Sequence, residues 1–229
     1  MKKGLFITFE GPDGSGKTTV SKAVSEKLLS EGYQVRYTRE PGGSAISEKI
    51  RDIILDPANT EMDPRTEALL YAASRRQHLV DIVLPLIEQG VTVISDRFVD
   101  SSIAYQGYGR GIGAEEVFSI NAFAIENHMP VKTVFLNVNA ETGLARIQAN
   151  RAVLDRLDAE SEEFHKRVYD GYQKVIAQYG DRMIVVDASR DVHEVIAEVY
   201  SIVKGLLDDL GSAEGNTADR LPCIGSRSA

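Results

Sequence analysis

The chain has 229 residues, 43% of them hydrophobic, with a formal net charge of -8 and one cysteine. That content is ample for one packed domain and excludes extensive disorder, and the negative balance argues against nonspecific binding of nucleic acid or of an anionic membrane. Cys223 has no partner for an internal disulfide, and no N-terminal apolar stretch suits a signal peptide or a spanning helix, so a reducing cytoplasm is the expected setting.

In chain order, Leu5-Phe6-Ile7-Thr8-Phe9-Glu10 reads as a buried strand, and Val20, Ala23, Val24, Lys27 and Leu28 then recur at helical spacing over 17-30. Between them stand Gly11-Pro12-Asp13-Gly14-Ser15-Gly16-Lys17-Thr18, a complete phosphate-binding loop in its required strand-loop-helix setting. Gly11, Gly14 and Gly16 let backbone N-H groups approach phosphate oxygens without a Cβ in the way, and the helix N-terminus adds its positive dipole end. Lys17 offers a point charge for β and γ phosphates, and Thr18 a hydroxyl for Mg²⁺. Ser15 and Thr19 flank these groups. The loop alone does not say what is done with a triphosphate.

A second strand over Gln34 to Thr38 leads to Arg39-Glu40-Pro41-Gly42-Gly43, whose proline and glycines allow an abrupt turn. Helices over 44-55 and 64-89 follow. On the longer one, Leu69, Ala73, Val80, Val83 and Ile87 share a narrow stripe expected to face the core, with Tyr71, Arg75 and His78 opposite. Tyr71 and Arg75, four apart, could stack on a nucleobase and reach its carbonyls, or form a solvated polar face; His78 is expected to be solvated. The third strand, Val91 to Ser95, closes on Asp96-Arg97. Asp96 suits organisation of Mg²⁺ or a helix N-cap. Arg39 and Arg97, at neighbouring strand ends beside the phosphate loop, point to a second bound phosphate, the alternative being ordinary ion pairs.

Helices over 114-127, 140-149, 159-178 and 191-210 alternate with strands at Thr133 to Val138 and Met183 to Val186. The sum is a three-layer α/β fold, a five-stranded parallel sheet between helices, with ligands gathering beyond the C-terminal strand ends. Residues 1-210 form the domain. From 211 to 229 apolar periodicity is lost, and a disordered tail is expected.

Phe9-Glu10-Gly11, Thr38-Arg39-Glu40-Pro41-Gly42-Gly43, Leu69-Leu70-Tyr71-Ala72-Ala73-Ser74-Arg75, Asp96-Arg97-Phe98 running to Ser101-Ser102-Ile103-Ala104-Tyr105-Gln106-Gly107, and Asp155-Arg156-Leu157-Asp158 together make the chain resemble the bacterial thymidylate kinases over about residues 4-210. The resemblance implies a P-loop nucleoside-monophosphate kinase fold, transfer of the γ-phosphoryl group of ATP to dTMP with Mg²⁺, and a homodimer. It implies that Asp13 binds the acceptor near its sugar, that Arg39 and Arg97 hold its phosphate, and that Tyr71 stacks on thymine. Arg75 matches an arginine on the base carbonyl, Ser102 a polar residue on the base edge, and Tyr105 a tyrosine that crowds the sugar 2′ position; Gln106 is a further expected substrate-binding residue. Lys17, Arg97 and a lid arginine are the catalytic cations.

The phosphate loop holds no arginine, so the chain resembles the subtype whose catalytic arginine sits in a lid, here about 149-158. Arg151 is the expected catalytic residue and Arg156 an expected neighbour of ATP phosphate or adenine. Tyr71 stands where phenylalanine is commoner. A GTPase-like switch is disfavoured because no Asn-Lys-x-Asp is present; a kinase for another nucleoside or monophosphate, and a binding module without catalysis, are the remaining alternatives.

Overall fold

The computed structural model describes residues 3-150 and 155-218. Five strands, β1 Phe6–Glu10, β2 Val35–Arg39, β3 Thr92–Asp96, β4 Lys132–Asn137 and β5 Met183–Asp187, form one parallel sheet in the order β2-β3-β1-β4-β5. β1 and β3 are buried along their whole length, as the central strands of a sheet covered on both faces must be. Side chains alternate between the two faces. Ile7, Phe9, Val134 and Leu136 meet α1 (Lys17–Ser30) and α9 (Val192–Ala218), while Phe6 and Phe135 pack with Tyr172 of α8 (Glu162–Gln178) and with Ile103.

The other helices are α2 Ala45–Leu55, α3 Pro64–His78, α4 Leu84–Glu88, α5 Val99–Ser102, α6 Ala114–Ile125 and α7 Ala140–Asn150. α3 starts on an N-cap whose chemistry is plain in the sequence: Asp63 accepts from the backbone N-H of Arg65 and Thr66, and Pro64 takes the first helical position. Register places the chemistry. Phe9 and Arg39 both lie level with Asp96, so the ends of β1, β2 and β3 open on one crevice.

The single helix expected over 64-89 is interrupted by a π-helical turn, Leu79–Val83, between α3 and α4. The expected facing of α3 is also reversed. Leu69 is 56% exposed and Ala73 is exposed, while Tyr71, Arg75 and His78 are buried. The wider π turn adds a residue and shifts the helical phase, so that Leu79 and Val83 enter the core. The polar face can be buried because every charged group on it finds a partner. A second π-helical run, Ile103–Gly109, follows α5 in a stretch whose sequence pattern assigns it to no element.

α9 continues to Ala218, beyond the end expected at 210, and residues 219-229 lie outside the described ones. Extending a helix adds one hydrogen bond per residue and needs no apolar stripe, so loss of periodicity was a poor mark of its end.

Candidate active site

β1 delivers the phosphate loop to the open end of the sheet. At Gly14 φ is +75° and an added Cβ would stand 2.1 Å from the Gly143 carbonyl oxygen, so only glycine fits there. Gly11 and Gly16 also have positive φ, and Ser15 is buried beneath the loop. Lys17 Nζ donates to the Pro12 carbonyl at 2.8 Å and faces Ser15 Oγ at 3.4 Å. Burial, and then the positive charge of Arg97, pull its ammonium down to about 8. Thr18 Oγ1 donates to Asp96 Oδ2 at 2.5 Å, and Thr19 is exposed beside it. A hydroxyl and a carboxylate side by side make an oxygen set that suits a hard divalent cation. Among the described residues no group of three His, Cys, Asp or Glu could hold a metal unaided.

Opposite the loop stands Arg97, whose backbone is left-handed with φ +77°. Its guanidinium binds Asp13, and Tyr105 donates to the same carboxylate at 2.7 Å. Arg97 also lies 4.9 Å from the centre of the Tyr105 ring and donates to Ser101 Oγ at 3.0 Å and Tyr172 Oη at 3.3 Å. Both hydroxyls in turn donate to Glu10, at 2.5 and 2.9 Å, leaving their lone pairs to Arg97. Glu10 is wholly buried, and burial, then repulsion from Asp100, raise its carboxyl to about 7 against the pull of Arg97. Arg39 donates to Glu48 at 3.0 Å and to the Pro41 carbonyl at 2.8 Å.

Further along the crevice lie Tyr71, Arg75, Ser102 and Gln106. Arg75 is 1% exposed, far from a free fork on a solvated helix face. Its Nε donates to Glu40 at 2.7 Å, Nη1 to Ser102 Oγ at 3.0 Å and to Asn121, and Nη2 to the Phe98 carbonyl at 2.9 Å. His78, expected to be solvated, is buried between Glu40 at 2.9 Å and Thr38 at 2.7 Å. Glu40 holds both residues to the β2 end, which is the physical reason for the reversal. A carboxylate 35 positions upstream leaves no mark in the spacing of α3.

The crevice is a cavity of about 700 Å³ running from Tyr71 and Gln106, across the phosphate loop, to Arg146, Ala188, Arg190 and Val192. Arg51, Arg146 and Arg190 line it without having been singled out in the sequence. Each is a lone arginine outside any motif, so no local signal could have found it. Arg156, expected beside the donor nucleotide, is instead buried on Glu67 at 2.5 Å and on the Ile54 carbonyl at 2.8 Å, because α2 and α3 supply acceptors that a solvated lid would lack. Arg151 lies outside the described residues.

The thymidylate kinase family model matches residues 9-199. A thymidylate kinase of Bacillus licheniformis is 51% identical over 207 residues, covering 90% of this chain and 98% of that protein. One from Lactobacillus delbrueckii subsp. bulgaricus is 54% identical over 210 residues, covering 91% and 99%. Among solved structures, the thymidylate kinase of Ehrlichia chaffeensis is 35% identical with a TM-score of 0.71, covering 88% of this chain and 99% of that one.

Proposed function

The chain belongs to the thymidylate kinase family, and from that premise we propose that it transfers the γ-phosphoryl group of ATP to dTMP, giving dTDP and ADP. The observation that carries this reading is the facing of two anion sites across one cavity: the phosphate loop with Lys17 on one side, Arg97 and Arg39 on the other. An oxygen of the acceptor phosphate forms the new bond to the γ phosphorus while the bond to the β-bridging oxygen breaks, its electron pair leaving on ADP. The attacking oxygen is already anionic, so no general base is required, and alignment with charge neutralisation does the catalysis.

In this reading Gly11, Gly14, Ser15, Gly16, Lys17, Thr18 and Thr19 hold ATP, and the adenine end extends towards Arg146, Arg190 and Val192. Asp13, Arg39, Tyr71, Arg75, Arg97, Ser102, Tyr105 and Gln106 hold dTMP, and Arg151 keeps the lid role that the resemblance gives it. Thr18 and Asp96 would hold Mg²⁺, which when bound offsets charge on the β and γ phosphates. No helix among the described residues is long and apolar enough to cross a membrane, and both nucleotides are cytoplasmic metabolites, which is where this reading puts the chain.

The partner is a second copy. α3 packs between α2 and α6, and these helices turn outwards Ile46, Ile53, Leu69, Phe118 and Phe123, the last 89% exposed. Large apolar side chains exposed on three neighbouring helices support an interface there.

The test is a panel of acceptors with ATP and Mg²⁺. dTMP is expected to be the preferred acceptor, and much faster phosphorylation of thymidine or dCMP overturns the substrate assignment.

A further inference from the structure

Glu67 touches no part of the cavity, yet it fixes what the cavity shows to a base. It lies one turn before Tyr71 on α3 and is wholly buried. Its Oε1 accepts from Gln106 Nε2 at 2.9 Å and Arg110 Nε at 3.2 Å, and its Oε2 from Arg110 Nη2 at 3.0 Å and Arg156 Nη2 at 2.5 Å. A carboxylate held between two guanidiniums stays ionised and can only accept. Gln106 must therefore turn its NH₂ to Glu67. Its Oε1 has no donor paired with it among the described residues and is not one of the buried unpaired atoms, so it opens on the cavity that Gln106 lines.

Arg75 presents the complementary group. Four of its five N-H groups are taken by Glu40, Ser102, Asn121 and Phe98, and one on Nη2 remains. An acceptor beside a donor matches a base edge carrying a ring N-H next to a carbonyl, as thymine does. Cytosine offers the reverse, an unprotonated ring nitrogen beside an amino group, and would leave two polar groups facing like partners.

We propose that Glu67 is a positioning residue for base selection, acting through Gln106 to hold the acceptor polarity that admits thymine and rejects cytosine. This rests on the dTMP kinase reading above. In Glu67→Gln the single amide oxygen is drawn to the Oε2 position, where two charged donors meet it, because hydrogen bonds from guanidinium are roughly twice as strong as neutral ones. The NH₂ then faces Gln106, which turns over and shows its own NH₂ to the base.

The experiment compares kcat/KM for dTMP and dCMP in four proteins: wild type, Glu67→Gln, Gln106→Met and the double variant. In Glu67→Gln the dTMP preference is expected to fall by about tenfold or more, mainly through a higher KM for dTMP. In the Gln106→Met background the same substitution is expected to leave the ratio unchanged, because the group it acts through is gone. An unchanged ratio in Glu67→Gln, or an equal fall with Gln106 absent, overturns the proposal. A merely structural role would lower stability without moving the ratio. A wild type that does not prefer dTMP refutes the substrate reading instead. Nuclear magnetic resonance of the free wild type needs no Glu67 variant: the side-chain amide protons lost in Gln106→Met should exchange slowly with water, and fast exchange also overturns the proposal.

Discussion

Replacing Glu10 with glutamine isolates the charge that underlies the Arg97 platform. Glu10 accepts from the Phe98 backbone at 2.7 Å and from the hydroxyls of Ser101 and Tyr172, and its carboxyl is raised from 4.5 to about 7 by burial and then by Asp100. At ~1.4 kcal/mol per tenfold change in proton affinity, that rise costs the folded state about 3 kcal/mol once Glu10 is fully ionised. The folded form binds the proton more tightly than the unfolded one. Its contribution to stability is thus complete below about pH 4.5 and is lost as pH rises through about 7. Glutamine keeps the volume and one acceptor but does not titrate. Urea unfolding of both proteins at about pH 5 and about pH 8 should show wild type losing up to about 3 kcal/mol relative to Glu10→Gln across the interval. Asp100 and Arg97 are common to both proteins, so their titration largely cancels in the difference. A difference that is flat with pH, or that grows in favour of wild type, refutes the reasoning.

Three further outcomes are expected. Lys17 titrates near 8 in the free protein, and polyphosphate restores its charge, so ATP binding should take up a proton at about pH 8.5; calorimetry in buffers of different ionisation enthalpy reads this, and heats independent of buffer refute it. Arg75→Ala removes the partner of a buried carboxylate and should cost about 3–5 kcal/mol of stability as well as acceptor affinity; a thermal melt within a degree of wild type would show that Glu40 does not depend on it. Phe123→Asp places a charge in the apolar face of α6 and should yield a monomer by light scattering, whereas an unchanged mass moves the interface elsewhere.

The fold was legible because β1, β3, β4 and β5 are short apolar runs closed by polar residues, and the stretches between strands carry helical periods. The phosphate loop was legible for a different reason: its parts are contiguous, and Gly14 is required by a clash that any side chain would make. What the sequence did not show is burial that depends on partners far along the chain. Arg75 and His78 look solvated from α3 alone and become core residues only because Glu40 arrives at the end of β2. Arg156 sits in a motif that the resemblance links to the donor, yet the decisive acceptors, Glu67 and the Ile54 carbonyl, are 89 and 102 positions away. The π turns escape for a related reason, since one added residue in a helix leaves the composition intact while rotating everything beyond it.

An acidic chain can build a cationic cavity only by spending carboxylates on its arginines, and the pairing here is systematic. Arg97 rests on Asp13, Arg39 on Glu48, and Arg75 on Glu40, while Arg51 and Arg146 rest on the carbonyls of Pro41 and Ala188. Each tether fixes a long side chain before any nucleotide arrives, and ordering such a side chain at binding would otherwise cost about 0.5–1.5 kcal/mol. The tethers also lower the attraction for any passing anion, since a phosphate reaching Arg97 must share it with Asp13. General anion binding is weakened while binding in one orientation is kept. A kinase gains from that trade, because its rate depends on two phosphates held in line and not on phosphate held in any pose.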